Sequence, residues 1–350
     1  MTPPSMAAFR KQLEKRFGER LTEMPEVAKR EIISTGSLTL DLALRTGGWV
    51  RGRTHELIGP EGVCKTTLSI LTAIEHQKAT GKAVGWVDME QSFDPVWAAS
   101  LGLDLSPEMF THIYPDDSED VSDMLKLMSQ SELYGLMVID SIGGMESRKA
   151  FEKDASESTM GRNAQVITRM VKHAAALARQ NHITVIYVNQ LRANLSGMGM
   201  GDIAAGPRAL RYNTTMSVRL SRKGGPASET IRKVKDGEIE DEVGRLFVAR
   251  VQRSRVSPQG RQAEFWLNNQ ATAEHGPIGI DKVDEAISIG IRMGVIQRSG
   301  AFYTLPGEDR SFQGRAKVAA ELRQRPEVVE TIRAEALKLV AHEVKEDEDE

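Results

Sequence analysis

The 350-residue chain carries 46 Lys and Arg against 49 Asp and Glu, a formal net charge of −3 that does not by itself announce a nucleic-acid binder. With 40% hydrophobic and 27% charged residues it has the balance of a globular protein, long enough for one sizeable α/β core and one or two small satellites. Its single cysteine, Cys64, excludes an intrachain disulfide and speaks against a cysteine-based zinc site.

The longest apolar stretches, such as Leu136-Met137-Val138-Ile139, are too short to cross a bilayer. Met1 to Ser5 lacks a basic segment followed by an apolar run, so no secretory leader is expected. A reducing, cytoplasmic location and no membrane partner are the corresponding expectations.

In chain order, residues 6–20 read as an amphipathic helix, with Met6, Phe9, Leu13 and Phe17 on one face among Lys and Arg. A charged stretch over residues 23–30 leads to Ile32-Ile33 and Ser34-Thr35-Gly36-Ser37. Strands are predicted at residues 54–58, 83–88, 136–140, 184–188, 217–221 and 246–252, and helices at 66–80, 121–131 and 163–181. Apolar strands alternating with long helices imply a mainly parallel sheet covered on both faces. Residues 148–159 and 191–207 break the rhythm, the second being rich in Gly and Met. Long aperiodic segments in a compact domain tend to be functional or disordered. Beyond His275 the pattern turns helical, with candidates at 282–293 and 316–342, and the last five residues, Glu346 to Glu350, are all acidic. Four segments result: 1–30 an N-terminal helix and linker, 31–274 the core, 275–340 a small C-terminal domain, and 341–350 a disordered acidic tail. No internal repeat is evident.

Gly59-Pro60-Glu61-Gly62-Val63-Cys64-Lys65-Thr66 follows a predicted strand and opens a predicted helix, the context a P-loop requires. Backbone N–H groups and the helix N-terminus would cradle phosphates there. Lys65 would reach the β- and γ-phosphates of ATP, and Thr66 would ligate Mg²⁺. One position departs from the pattern: Cys64 stands where glycine precedes the lysine. If that residue needs a positive φ, a side chain costs roughly 1–2 kcal/mol, and its sulfur would crowd the phosphates otherwise. ATP binding is expected and the rate of hydrolysis is left open. Asp140, ending an apolar strand, is placed to hold Mg²⁺ through water. Glu90, after strand 83–88, could position or deprotonate the attacking water. The purely structural alternative for each carboxylate is a strand or helix cap.

At this point the chain resembles the bacterial RecA recombinases. The resemblance is carried, in order, by Ile33-Ser34-Thr35-Gly36-Ser37-Leu38, Gly52-Arg53, the loop Gly59 to Thr67, Val87-Asp88-Met89-Glu90 and Phe93-Asp94-Pro95. Val138-Ile139-Asp140-Ser141, Met160-Gly161, Val188-Asn189-Gln190-Leu191-Arg192 and Gln262-Ala263-Glu264-Phe265 continue it, over about 290 residues. It implies a RecA-like P-loop ATPase core with a mainly parallel central sheet, an N-terminal polymerisation helix and a small C-terminal α/β domain.

By the same resemblance Thr67 joins the nucleotide loop, Trp97 stacks on adenine with Asp94 near the base, and Gln190 senses the γ-phosphate and relays its state. Left to the residues alone, Trp97 would be a core aromatic and Gln190 a strand-end polar group. The aperiodic segments, near 148–160 and 191–207, correspond to the family's two DNA-binding loops. Arg162, Arg169, Lys172, Arg192, Arg208 and Arg211 become candidate phosphate contacts, without sequence preference. Met198 and Met200 become candidate wedges between bases. Arg253 and Arg255 align with basic residues that reach across the subunit boundary to the neighbour's ATP, completing the site only between protomers. The implied partners are single- and double-stranded DNA, further copies of the chain in an open helical filament, and, for some relatives, a repressor protein. The acidic tail would compete with DNA for basic surfaces. Two alternatives are a hydrolysis-impaired paralogue that modulates a recombinase filament, which Cys64 supports, and a hexameric helicase motor. The docking helix and the Arg253/Arg255 pair favour a filament over the ring.

Overall fold

The computed structural model describes residues 6–17, 30–115, 117–144, 158–192, 203–204, 208–236 and 239–346. The chain divides into two compact units, residues 1–31 and 32–350. The first holds helix α1 (Met6–Phe17), within the span its apolar spacing predicts.

The second unit begins with β1 (Ile32–Ile33), α2 (Leu38–Ala43) and β2 (Trp49–Val50), then β3 (Thr54–Gly59), α3 (Lys65–Thr80) and β4 (Ala83–Asp88). There follow α4 (Pro95–Leu101), β5 (Phe110–Ile113), α5 (Ser118–Gln130), β6 (Tyr134–Asp140), α6 (Ser158–Asn181), β7 (Thr184–Arg192) and β8 (Ile203–Ala204). Next come α7 (Arg208–Asn213), β9 (Met216–Arg222), α8 (Ala227–Thr230), β10 (Ile231–Asp236), β11 (Ile239–Ser254), β12 (Gln262–Asn268) and β13 (Gly279–Ile280). The chain closes with α9 (Lys282–Arg292), β14 (Gln297–Ser299), β15 (Phe302–Thr304), β16 (Ser311–Gln313), α10 (Arg315–Arg323) and α11 (Pro326–Glu346).

The main sheet runs β13-β12-β11-β9-β3-β7-β6-β4-β5, with β10 on β11 and β8 on β7. Its stretch from β9 to β5 is parallel, as the apolar runs predict. Alternate residues of each strand feed opposite layers. Val84, Trp86, Leu136, Val138, Ile186 and Val188 join α3 in one cluster. Val87, Met137, Ile139, Val185 and Tyr187 join α5 and α6 in the other. Burying both faces is what makes these strands almost continuously apolar.

Two differences from the expectations have physical causes. The helix predicted over 316–342 is two helices broken at Gln324-Arg325, because Pro326 has no N–H to donate and its ring disfavours helical backbone just before it. Strand β11 was predicted only over its apolar part, 246–252, and β10, β12 and β13 escaped notice, β10 because it lies at a sheet edge where charged residues alternate with few apolar ones. As the resemblance implies, the C-terminal segment is α/β: it carries a small antiparallel sheet, β14-β15-β16, packed through Tyr303 and Phe312 on Ile287, Val318 and Leu322. Helix α11 runs to Glu346, into the segment read as tail, while residues 347–350 lie outside the described part. So do residues 148–157, 193–202 and 205–207 of the expected DNA-binding loops. Among the described residues no helix is long and apolar enough to cross a membrane.

Two buried carboxylates tie α2 to the C-terminal segment. Glu285 of α9 accepts from Leu38 N (2.9 Å), Thr39 N (3.2 Å), Ser37 Oγ (2.5 Å) and Thr39 Oγ1 (2.8 Å), satisfying N–H groups at the start of α2. Asp41 accepts from Ser34 Oγ, Thr35 N and Thr35 Oγ1, and Arg333 of α11 approaches it to 3.6 Å. Burial outweighs these partners and pushes the Asp41 carboxyl up to about 7. Between about pH 4 and that value the native group holds a proton that the unfolded chain has released. Its stabilising contribution is therefore complete at acid pH and fades as pH rises towards neutrality. Asp41→Asn is expected to gain a few kcal/mol over the parent chain between about pH 5 and about pH 8, read from urea titrations at both.

Candidate nucleotide-binding site

Strand β3 lies between β7 and β9, and the next long strand in the chain, β4, is separated from it by two strands, β7 and β6. The loop that leaves β3 thus opens at a switch in strand order, where ligands of such sheets bind. The register sets Gly59 beside Gln190 across β3 and β7, and Asp88 beside Asp140 across β4 and β6. The carboxyl ends of these strands bring the predicted residues together.

Gly59 cannot carry a side chain, because a Cβ would stand 2.6 Å from Val63 Cγ2 and 2.7 Å from Leu220 O. Cys64 has φ 59° and ψ 24°, the left-handed conformation glycine adopts freely. Its side chain packs against the main hydrophobic cluster, and burial pushes the thiol well above its usual range. Lys65 starts α3; its buried Nζ donates to Gly59 O at 3.0 Å and Pro60 O at 2.6 Å. Burial lowers the Lys65 pKa, while Asp140 and Glu90 act to raise it.

Thr66 Oγ1 donates to Asp140 Oδ2 at 2.7 Å. Burial pushes the Asp140 carboxyl up to about 6, the Thr66 bond opposes that, and the Glu90 and Asp88 charges add to it. Glu90 accepts from Gln190 Nε2 at 2.9 and 3.2 Å and from the Ser141 hydroxyl. A hydroxyl beside a carboxylate whose ionised form lacks compensation suits a hard divalent cation held by few protein oxygens. Among the described residues no cluster of three or more His, Cys, Asp or Glu could hold a metal alone. Mg²⁺, which keeps water and phosphate oxygens as most of its ligands, fits such a donor set.

Asp94 caps α4, accepting from Val96 N (2.8 Å) and Trp97 N (3.1 Å). Trp97, half-buried, turns its indole N–H to Thr67 Oγ1 at 3.4 Å, which places the ring beside the first turn of α3. Arg169 and Lys172 are exposed one turn apart on α6, and Arg211 is exposed on α7. Arg162, Arg192 and Arg208 belong to α6, β7 and α7, but their side chains lie outside the described part, as do Met198 and Met200 altogether.

Arg253 and Arg255 are not brought to the loop of their own chain. Strand β11 runs antiparallel to β9, with Ser254 beside Met216, and Met216 pairs with His55 near the start of β3. The two arginines stand level with the first half of β3, roughly 10–17 Å along the strands from Gly59. Arg253 donates to Thr214 Oγ1 and Arg255 to Tyr212 O. Lys172 and Arg255 meet in a cavity of about 460 Å³ that Arg53, Arg179 and Tyr212 also line.

Four contributors were not singled out from sequence. Asp88 organises the turn before Glu90's neighbours, and Ser141 donates to Glu90. Arg222 reaches Gly62 O at 3.4 Å from the end of β9, and buried Glu56 bonds Asn189 and Ser217 beneath the site. The signal for Asp88 was its place at the end of an apolar strand, the same one that marked Asp140; the others depend on strand order.

The family model described as the RecA N-terminal domain matches residues 5–271, and that of the RecA C-terminal domain matches residues 284–340. Protein RecA of Thermus aquaticus is 31% identical over 332 residues, covering 93% of this chain and 92% of the relative. Protein RecA of Chloroflexus aggregans is 32% identical over 343 residues, covering 95% and 92%. A crystal structure of the RadB recombinase is similar at 25% identity over 68% of this chain and 96% of its own, with a TM-score of 0.47. Matched over both of its segments and aligned with these relatives along nearly its whole length, the chain belongs to the RecA recombinase family.

Proposed function

We propose that this chain is an ATP-dependent recombinase that forms filaments on single-stranded DNA and catalyses homologous pairing and strand exchange. The observation that carries the reading is that the phosphate loop leaves the carboxyl end of β3, while Arg253/Arg255, two strands away at the end of β11, stand level with the first half of β3. A subunit stacked head to tail on another presents its arginines to the neighbour's loop, and such a contact does not close. The site is complete only in the assembly, so turnover follows assembly.

Within one subunit the loop amides and Lys65 hold the ATP phosphates, Thr66 and Asp140 hold Mg²⁺, and Trp97 covers the base. Mg²⁺ supplies charge neutralisation on the phosphate oxygens. Glu90 orients the attacking water and takes its proton. Gln190, bonded to Glu90 and next to Gly59 across the sheet, carries the state of the γ-phosphate into the segment that follows β7. Arg169, Lys172, Arg211, Arg162, Arg192 and Arg208 contact DNA phosphates, and Met198 and Met200 lodge between bases. Homology is then read by base pairing, while the protein holds the backbone.

Cys64 bears on the rate. Its side chain packs into the core cluster, so the left-handed backbone acts chiefly on stability. Cys64→Gly is expected to leave stability within about 1 kcal/mol of the parent chain in a urea titration, strain relief being offset by the lost packing of the side chain and the added entropy of the unfolded state. ATP hydrolysis with and without single-stranded DNA, measured on the parent chain and this variant, tests the function. Strong DNA-dependent turnover in both is the expected result. Negligible turnover restored by glycine would replace it with the modulating paralogue.

Loss of both arginines, Arg253→Ala with Arg255→Ala, should cut DNA-stimulated turnover at least about 100-fold, as removal of an arginine finger does. Lys65→Ala should be equally inactive. Mixing the two inactive proteins creates junctions where an intact loop meets intact arginines, so partial recovery of turnover is expected. No recovery at any ratio would count against a shared site.

A further inference from the structure

We propose that His112 is a positioning residue for ATP hydrolysis, acting through Asp88 to fix the turn that carries Glu90. The inference rests on the reading of Glu90 as the group that orients the attacking water. Asp88 ends β4 and is fully buried, with no exposed side-chain surface. Its Oδ1 accepts from Ser92 N at 3.1 Å and its Oδ2 from Phe93 N at 2.9 Å. One carboxylate thereby closes the turn from 88 to 93, with Glu90 at its middle and Gln91 in the left-handed conformation at φ 52°. The far end of Glu90 is held by Gln190 and Ser141. Asp88 fixes the near end, the backbone from which the side chain springs.

His112 supplies the third bond to that carboxylate. It projects from β5, the strand next to β4, and its Nε2 lies 3.3 Å from Asp88 Oδ2. Facing an acceptor-only carboxylate, Nε2 carries the hydrogen. The ring is confined by Phe93 at 4.8 Å and Tyr114 at 4.3 Å between centroids. Phe93 thus touches both partners: its N–H binds Asp88 and its ring packs on His112. Removal of the imidazole donor leaves a buried carboxylate with only the two backbone donors described here. A buried acceptor deprived of a partner is costly, and the exposed turn at 90–92 is the part free to rearrange. A displacement of about 1 Å at a group that aligns a nucleophile is enough to lower turnover by one or two orders of magnitude.

The test compares full-length His112→Phe, which keeps the ring packing and removes the donor, with His112→Gln, which retains a side-chain N–H. Steady-state ATP hydrolysis is followed at saturating single-stranded DNA, beside the parent chain and Glu90→Gln. We expect His112→Phe to lower kcat about tenfold with KM for ATP within about twofold, and His112→Gln to recover most of the loss. Thermal melting identifies folded variants; if the Phe variant does not fold, His112→Met provides the same loss of donor. Unchanged kcat in the donor-less variant overturns the proposal. So does an equal loss in both variants, or a loss confined to KM, since either would mark His112 as packing alone. Parent-like turnover in Glu90→Gln would instead overturn the reading of Glu90, and the proposal with it.

Discussion

The parallel pairing of β3 with β7 is the constraint from which the site follows. It sets the last residue of β3, Gly59, beside Gln190, and the absence of a side chain at Gly59 lets the loop turn under Leu220 and Val63 without collision. Shift that register by one residue and the two buried sets of β7 exchange layers. Ile186 and Val188 would leave the α3 side, and Asn189 would no longer meet Glu56. The site is thus held by the same alternation that fills the two hydrophobic layers.

Charge is arranged against that apolar background. Glu90 and Asp140 lie near one buried ammonium, Lys65, with Asp88 beside Asp140, and burial drives Asp140 and Lys65 each towards its neutral form. A protein selected for stability alone would not gather these groups in one crevice, because each is costly to bury uncompensated. A metal–phosphate ligand changes the balance, since it brings both signs of charge at once. Affinity at such a site comes partly from compensation the empty protein lacks.

Much of this was legible in the linear sequence. The P-loop, the strands that carry Asp88 and Asp140, and the helix that follows Thr66 are written in short-range patterns: apolar runs, a Gly/Lys/Thr turn and a helical period. Cys64 was visible as a departure, but its positive φ became known only from the backbone. The Asp88–His112 pair joins two strands that are separated in the chain by a helix and a loop, and nothing local distinguishes His112 from a surface histidine. The edge strand β10 carries mostly polar residues, so its pairing is fixed by β11 rather than by its own pattern, whereas the apolar part of β11 was legible over 246–252. Pro326 was the one local signal that went unused, and it marks the break between α10 and α11.

The carboxylate of Glu285 has a consequence for synthesis. It caps a helix whose first residues precede it by 248 positions in the chain. At translation rates of about 5–20 residues per second, α2 leaves the ribosome roughly 12 to 50 s before its cap exists. During that interval the backbone N–H groups of Leu38 and Thr39 can be satisfied only by water. Water cannot reach them once the segment is packed, so α2 can settle fully only after the C-terminal segment has been made. The corner of the nucleotide core that α2 occupies therefore gains its last side-chain partner only when the protein is nearly complete.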